Sequence, residues 1–403
     1  MTTAPHGATA PQTPRPPKTP RNPHAPHGTV EQQALRAAVA ALGARRLSPD
    51  QLWAEAGKLG YLGVNLPEEY GGGGAGIVEL AIVLEELAAA GNPPLLMVVS
   101  PAICGTVIAR FGTDGQKRRW LPGLASGTTR MAFGITEPDA GSNSHRITTT
   151  ARREKADKGD KGGDWVLTGR KVFVSGVDVA DATLIVGRTE DARTGRLKPC
   201  LFVVDREAPG FHRNPIPMEL SGDIRQFELV LDDVRLPADA LVGDEDAGLL
   251  QLFAGLNPER VMTAAFALGL ARYALREAVE YARVRQVWDR PIGAHQAVAH
   301  PLADAHIGIE LARLMTYRAA GLYDAGEDEA AGEAANMAKY AAAEVAVRTV
   351  DRAVHTLGGN GLTKEYGLAA LLTAVRVARV APVSREMILN YVSHRSLGLP
   401  KSY

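Results

Sequence analysis

Two short segments hold the residue types that chemistry needs. The first, Phe133-Gly-Ile-Thr-Glu-Pro-Asp-Ala-Gly-Ser-Asn-Ser-His145, places hydroxyls at Thr136, Ser142 and Ser144 beside a rigid Glu137-Pro138 pair. Its Gly141 has no Cβ and lets a ligand approach the backbone. Hydroxyls and N–H groups at this density suit a flat, hydrogen-bonding heterocycle or a phosphate. The same residues also make an ordinary turn whose side chains bond their own backbone. The second segment, His355-Thr-Leu-Gly-Gly-Asn-Gly-Leu362, can offer N–H groups to a pyrophosphate or simply stop a helix. Other chemistries find little support. His295 and His300 are five residues apart, and no cluster has metal-ligand spacing. Gly-x-Ser-x-Gly and Walker patterns are absent, and so is the Rossmann fingerprint, so any dinucleotide is held another way. The glycines at 71–74 lack the preceding strand and following lysine of a phosphate loop.

The elements that must position these segments follow from periodicity. From Val30 to about Thr129 the pattern is helical: Ile77, Leu80, Ala81, Leu84, Leu87 and Ala88 recur at three-and-four spacing, with Gly91 as a stop. Ser100-Pro101 reads as an N-cap with proline in the first turn, leading into Val107, Ile108 and Phe111. From about Met131 to Val242 the period becomes two, with short strands at 165–169, 171–175, 183–187 and 202–205. Charged, glycine-containing loops at 153–164 and 189–198 read as hairpin tips. Helices return after Asp244, at about 258–286, 295–325, 329–356 and 368–392. The expected architecture is α+β: a proline-rich tail (1–28), an N-terminal helical domain (29–130), a middle small β-barrel or sandwich (131–243) and a C-terminal four-helix bundle (244–403).

Composition narrows the function class. The chain has 403 residues, 45 Lys+Arg against 45 Asp+Glu, and is 45% hydrophobic. A net charge of zero argues against a nucleic-acid binder, which needs a basic excess. No apolar run reaches the roughly 20 residues that span a bilayer. Two cysteines make no disulfide framework, so a reducing, cytoplasmic setting is expected. Residues 1–28 carry eight prolines and few apolar side chains, the composition of a disordered tail.

Taken together, the two segments resemble the acyl-CoA dehydrogenase family over about residues 30–403. Gly134-Ile-Thr-Glu-x-x-Ala-Gly-Ser142 follows that family's first signature, and Gly358-Gly-Asn-Gly361 with Thr363-Lys-Glu-Tyr366 its second. Between them lie Lys171-Val-Phe-Val-Ser175, Asp232-Asp-Val-Arg-Leu-Pro237 and Arg285…Pro291-Ile-Gly…His295-Gln296, in the family's order. The resemblance implies an FAD enzyme that removes hydrogen from Cα and Cβ of an acyl-CoA and passes electrons to an electron-transfer flavoprotein. It places Phe133, Ile135, Thr136, Gly141, Ser142, Phe173, Val174 and Ser175 at the flavin, Ser142 also near the CoA arm. It gives Arg285, Gln296, His355, Gly358 and Gly359 to the pyrophosphate and adenosine, partly across a subunit boundary, and so implies a homodimer or homotetramer. Ser384 and Glu386 join the cofactor set, and Asn257 and Arg260 the substrate set.

Departures from the family pattern matter most at the base. Many members carry it in a late Tyr-Glu-Gly-Thr stretch, which aligns with Ala381-Pro-Val-Ser384, and Pro382 takes no proton. Isovaleryl- and long-chain-type members place it just before a family arginine, where this chain has Asn257-Pro-Glu-Arg260. Glu259 is the resulting candidate. With Asn257 as cap, it would sit in a first helical turn whose dipole lowers its pKa while burial raises it, burial dominating. The second signature also departs, with His355, Leu362, Ala370, Thr373 and Ala374 at family positions of other type. Competing readings on the same fold are an oxygen-using acyl-CoA oxidase or flavin monooxygenase, and a non-catalytic FAD or acyl-CoA binding subunit.

Overall fold

The computed structural model describes residues 28–154, 163–191, 194–220 and 225–402. The tail expectation therefore lies outside the described residues apart from Gly28, as do the tips of both expected hairpin loops. Six helices come first: α1 Val30–Gly43, α2 Pro49–Lys58, α3 Ile77–Ala89, α4 Leu96–Val99, α5 Thr106–Phe111 and α6 Asp114–Ser126. Capping boxes start α1, α2 and α6, pairing Thr29 with Gln32, Ser48 with Gln51 and Thr113 with Gln116. The glycine loop before α3 uses its own N–H groups, Gly73 on Gly63 O and Gly74 on Leu66 O, both 2.9 Å.

Ser100 is not an N-cap. Residues Ser100–Gly105 form a wide π turn that continues from α4, and the Ser100 hydroxyl accepts from Met131 N at 3.0 Å instead. The serine thus ties the helices to the first strand.

Eight strands follow: β1 Met131–Gly134, β2 Thr150–Arg153, β3 Trp165–Ser175, β4 Ala182–Glu190, β5 Leu197–Asp205, β6 Phe211–Ile216, β7 Gln226–Leu236 and β8 Leu241–Val242. Their order is β6-β7-β3-β2-β4-β5-β8, with β1 pairing parallel to β4. The two strands expected at 165–169 and 171–175 are one. β3 runs antiparallel to β7 with irregularities at Leu167/Gly169 and Lys171/Val174, which break the period-two signal. The second irregularity puts Phe173 at φ +56°, rare for a residue with a ring on its Cβ.

The last third is helical: α7 Gly248–Val284, α8 Gln296–Asp324, α9 Asp328–Leu357, α10 Leu368–Val380 and α11 Arg385–Tyr391, with a hairpin of β9 Gln286–Val287 and β10 Arg290–Pro291 after α7. Small side chains let these helices approach closely. A Cβ on Gly269 would stand 2.4 Å from Ala88 Cβ, so α3 and α7 cross at this point. Fully buried Glu85 joins four helices, meeting Arg272 (2.7 Å), Arg313 (3.0 Å), Arg36 (3.2 Å) and the Tyr317 hydroxyl. Among the described residues no helix is long and apolar enough to cross a membrane.

Two helical boundaries differ from expectation. α7 starts at Gly248, not at Asn257, and Pro258 lies inside it. Pro258 has no N–H for the Ala254 carbonyl four residues back. The Tyr323 hydroxyl of α8 donates to that carbonyl at 2.7 Å, which removes the usual reason for a helix to break. The segment 368–392 is two helices, because Pro382 interrupts it and Ser384 caps α11 by accepting from Met387 N at 3.3 Å.

Candidate active site

Where the helical layers meet the sheet lies a cavity of about 2040 Å³. Phe133 lines it from β1, Ile135, Thr136, Gly141 and Ser142 from the loop that follows, and Phe173 and Ser175 from the end of β3. Leu95 and Val99 contribute from the N-terminal helices, Asn257, Glu259 and Arg260 from α7, and Ser384 from the turn before α11. Residues as far apart in the chain as Leu95 and Ser384 thus face one cavity.

The loop that holds Thr136 is anchored by a buried ion pair. The Lys171 ammonium donates to Glu137 Oε1 at 2.8 Å and to Ile135 O at 3.2 Å. The other Glu137 oxygen accepts from Thr148 N and its hydroxyl at 2.6 and 2.8 Å. Despite burial, those donors hold the Glu137 carboxyl down at about 2. Gln226 fixes Ser175, its Nε2 donating to the hydroxyl at 2.9 Å. The φ of +56° at Phe173 leaves its ring 59% exposed, facing the cavity instead of the sheet core. An open aromatic face beside the hydroxyls of Thr136, Ser142 and Ser175, with open space over Gly141, fits a flat heterocycle with polar edges.

Glu259 stands more than two turns inside α7, not in its first turn, so the helix-end dipole does not act on it. Burial pushes its carboxyl up to about 7, against the opposing pull of Arg260 and Lys339. Arg260 donates to Asn257 Oδ1 at 2.9 Å and Leu256 O at 3.2 Å, while its buried Nε finds no acceptor among the described residues. Asn257 thus holds the arginine and caps nothing.

Several expected residues lie elsewhere. The Val174 side chain is buried in the sheet core, and the residue does not line the cavity. Glu386 is on the outer surface beside Arg385 at 3.3 Å, outside the cavity lining. The Ser384 hydroxyl lines the cavity but is engaged in its cap. Arg285, Gln296, His355, Gly358 and Gly359 are all exposed at the far end of the bundle. There Ile292 N meets Arg285 O at 2.8 Å and Asn360 reaches the Tyr281 hydroxyl at 3.1 Å. Within one chain this group does not touch the cavity.

Sequence reading missed Lys339, 1% exposed on α9, whose Nζ donates to the Val383 and Arg379 carbonyls. Its signal was a lysine on the stripe of Ala335, Ala338, Ala342 and Ala346. The partners Gln226 and Tyr323 carried no local signal.

An exposed aromatic with hydroxyls around it and a buried carboxyl line one cavity between helices and a β domain, an arrangement suited to a flavin-type dehydrogenase. Family models agree across the chain: acyl-CoA dehydrogenase N-terminal domain over residues 29–128, middle domain over 132–234 and C-terminal domain over 246–397. Acyl-CoA dehydrogenase FadE12 of Mycobacterium tuberculosis is 63% identical over 385 residues, covering 93% of this chain and 97% of its own. Butyryl-CoA dehydrogenase of Megasphaera elsdenii superposes with a TM-score of 0.83 at 29% identity, covering 92% and 99%. A glutaryl-CoA dehydrogenase of Mycobacterium smegmatis in complex with FADH2 gives 0.83 at 28% identity, covering 93% and 96%. The chain belongs to the acyl-CoA dehydrogenase family of flavin-dependent oxidoreductases.

Proposed function

We propose that this chain dehydrogenates an acyl-CoA thioester to the trans-2-enoyl-CoA, with Glu259 taking the α-proton and the electrons passing on to an electron-transfer flavoprotein. The observation that carries the reading is Glu259 itself: it lines the cavity and has no ion-pair partner among the described residues. A base with its pKa near the working pH is ionised often enough to act and still basic enough to remove a weakly acidic proton. Pro382, at the family's other base position, lines the same cavity and offers no proton acceptor.

The cofactor is FAD, which when bound accepts the hydride leaving Cβ. Phe133–Ser142 and Phe173–Ser175 are the residues that would hold its ring, with the Thr136, Ser142 and Ser175 hydroxyls meeting polar edges. Asn257 keeps Arg260 turned along α7, so the arginine's charge stays beside Glu259 without an ion pair quenching it. Leu95, Val99 and Leu256 give the cavity an apolar wall suited to an acyl chain. Water leaving that wall as substrate enters strengthens each polar contact inside. Arg285, Gln296, His355, Gly358 and Gly359 would serve the cofactor of a second copy, which makes a homodimer or homotetramer the working form.

The test is an acyl-CoA panel with an artificial electron acceptor, followed by anaerobic stopped-flow flavin bleaching of Glu259→Gln with the best substrate. Retention of FAD with loss of bleaching supports the reading. Bleaching at the parent's rate places the base elsewhere.

A further inference from the structure

Two lysines are almost wholly buried, and they are satisfied in different ways. Lys171 pairs with the Glu137 carboxylate at 2.8 Å. Lys339 makes no ion pair among the described residues; its Nζ donates to the Val383 carbonyl and, at 3.4 Å, to that of Arg379. These carbonyls flank the turn between α10 and α11, from which Val380, Ala381, Pro382, Val383 and Ser384 line the same cavity as Glu259. One turn earlier on α9, Asn336 also lines it. A buried ammonium bonded only to neutral carbonyls is costly to keep charged, so a fold that keeps one needs a compensating negative group nearby.

We propose that Lys339 is a positioning residue of the catalytic site: it clamps the Arg379–Ser384 turn onto the cavity and, with Arg260, supplies the positive field in which Glu259 receives its proton. The inference rests on Glu259 being the base. Charged groups around Lys339 come from every neighbouring helix. Glu259 and Arg260 face it from α7, and Glu386 acts from α11. Glu344 on its own helix is already engaged by Arg379 at 2.8 Å and Arg385 at 3.3 Å. Glu259 is therefore the neighbouring carboxylate without an ion pair among the described residues, and its protonation leaves two buried cations beside it, Arg260 lining the cavity and Lys339 behind the turn that lines it. Negative charge then develops on the thioester oxygen, and preorganised positive groups favour that state.

Titration supports the geometry. Burial first, then Arg260, pulls the Lys339 ammonium down to about 8, whereas Glu259 holds it up. A charge lost just above neutrality gives flavin reduction an alkaline limb there. Removing the cation also deprives the Glu259 carboxylate of a favourable neighbour, which moves the acid limb to higher pH.

The experiment measures anaerobic flavin bleaching by the preferred acyl-CoA from about pH 5 to about pH 10 in the parent, Lys339→Met and Lys339→Arg, a span that brackets both groups. FAD content and thermal midpoint are recorded for each protein. Expected for Lys339→Met is a maximal rate lower by about tenfold or more, an acid limb at higher pH and no alkaline limb, with KM moving less than kcat. Lys339→Arg, always charged, should keep the acid limb in place and lose the alkaline one. A folded Lys339→Met with the parent's rate and both limbs overturns the proposal. Should that variant not fold, the parent decides: no alkaline limb near pH 8, or one that persists in Lys339→Arg, overturns it as well. Failure of this inference alone is an inert Glu259→Gln beside an unchanged Lys339 profile. Failure of the underlying reading is an active Glu259→Gln.

Discussion

The two ends of α7 place candidate site residues in opposite surroundings. Near its start, Glu259 and Arg260 sit in a cavity whose irregularities are each settled by another element: Tyr323 serves the carbonyl that Pro258 leaves free, and turn carbonyls serve Lys339. About 26 residues later, or about 39 Å of helix, Arg285 opens onto solvent. Beside it Trp288 and Asp289 hold φ of +50° and +66° in a tight turn, and Trp288 is 83% exposed. Val284 and Leu362 are 72% and 67% exposed at the same end. At the inner end other elements of the chain meet the Ala254 carbonyl and the Lys339 ammonium, whereas the outer end presents bulky apolar and cationic side chains on an exposed surface. The contrast matches the proposed roles: a reaction centre built within one chain at the inner end, and at the outer end the residues proposed to serve the cofactor of a second copy.

The sharpest way to break this contrast is Glu259→Gln. It keeps shape and hydrogen bonding but accepts no proton, and flavin reduction should fall on the order of 10²-fold or more. Because the base must be ionised, the parent's rate should climb as pH rises through about 7, where burial places the carboxyl, and that acid limb should be missing from the variant's residual rate. A profile already flat above about pH 5, the range of an ordinary carboxylate, would contradict the burial argument.

Arg285→Ala probes the outer end. Loss of one charge-assisted contact to a pyrophosphate should weaken FAD retention by about tenfold and leave the reduction rate of FAD-saturated enzyme nearly unchanged. Equal FAD affinity in dialysis or titration would remove Arg285 from the cofactor site. Tyr323→Phe returns to the inner end, leaving the Ala254 carbonyl without its donor at a cost of about 1–3 kcal/mol. Denaturant titration measures this, and an unchanged midpoint would mean the helix tolerates Pro258 unaided. Deleting residues 1–28 should alter neither FAD content nor turnover, since a proline-rich segment poor in apolar groups adds little to a packed site.

What could be read from the chain before its structure follows the distance between cause and consequence. The hydroxyls of Thr136 and Ser142 lie close together in the chain, so this stretch was legible as a candidate binding loop, whereas Ser175 is brought beside them only by the fold. Long helices announced themselves by periodicity, α3 most clearly through Ile77, Leu80, Leu84 and Leu87. Pro258 was misread as a helix start because the usual rule for proline near a cap applies until a distant donor cancels it, and that donor, Tyr323, is on another helix. Phe173 gave no warning of its positive φ, since the bulge that produces it is set by pairing with β7. Val174 and Glu386 were carried by the family pattern alone, and the fold turns both side chains away from the cavity. Arg285, Gln296, His355, Gly358 and Gly359 were carried by the family pattern alone, and the fold gathers them on one exposed surface away from the cavity.

The hydroxyl of Tyr323 also couples motions that would otherwise be separate. Arg110 of α5 donates to it at 3.0 Å, and it donates onward to the Ala254 carbonyl at 2.7 Å. A helix whose early turns depended on their own amides could fray there one residue at a time. Here the stretch from Gly248 to Pro258 is stitched to α8 and α5, so it opens only when that three-way joint opens. Amide hydrogens on either side of Pro258 should then exchange as one cooperative unit together with those of α8 around Tyr323, and the segment leading to Glu259 should be as slow to open as the bundle itself.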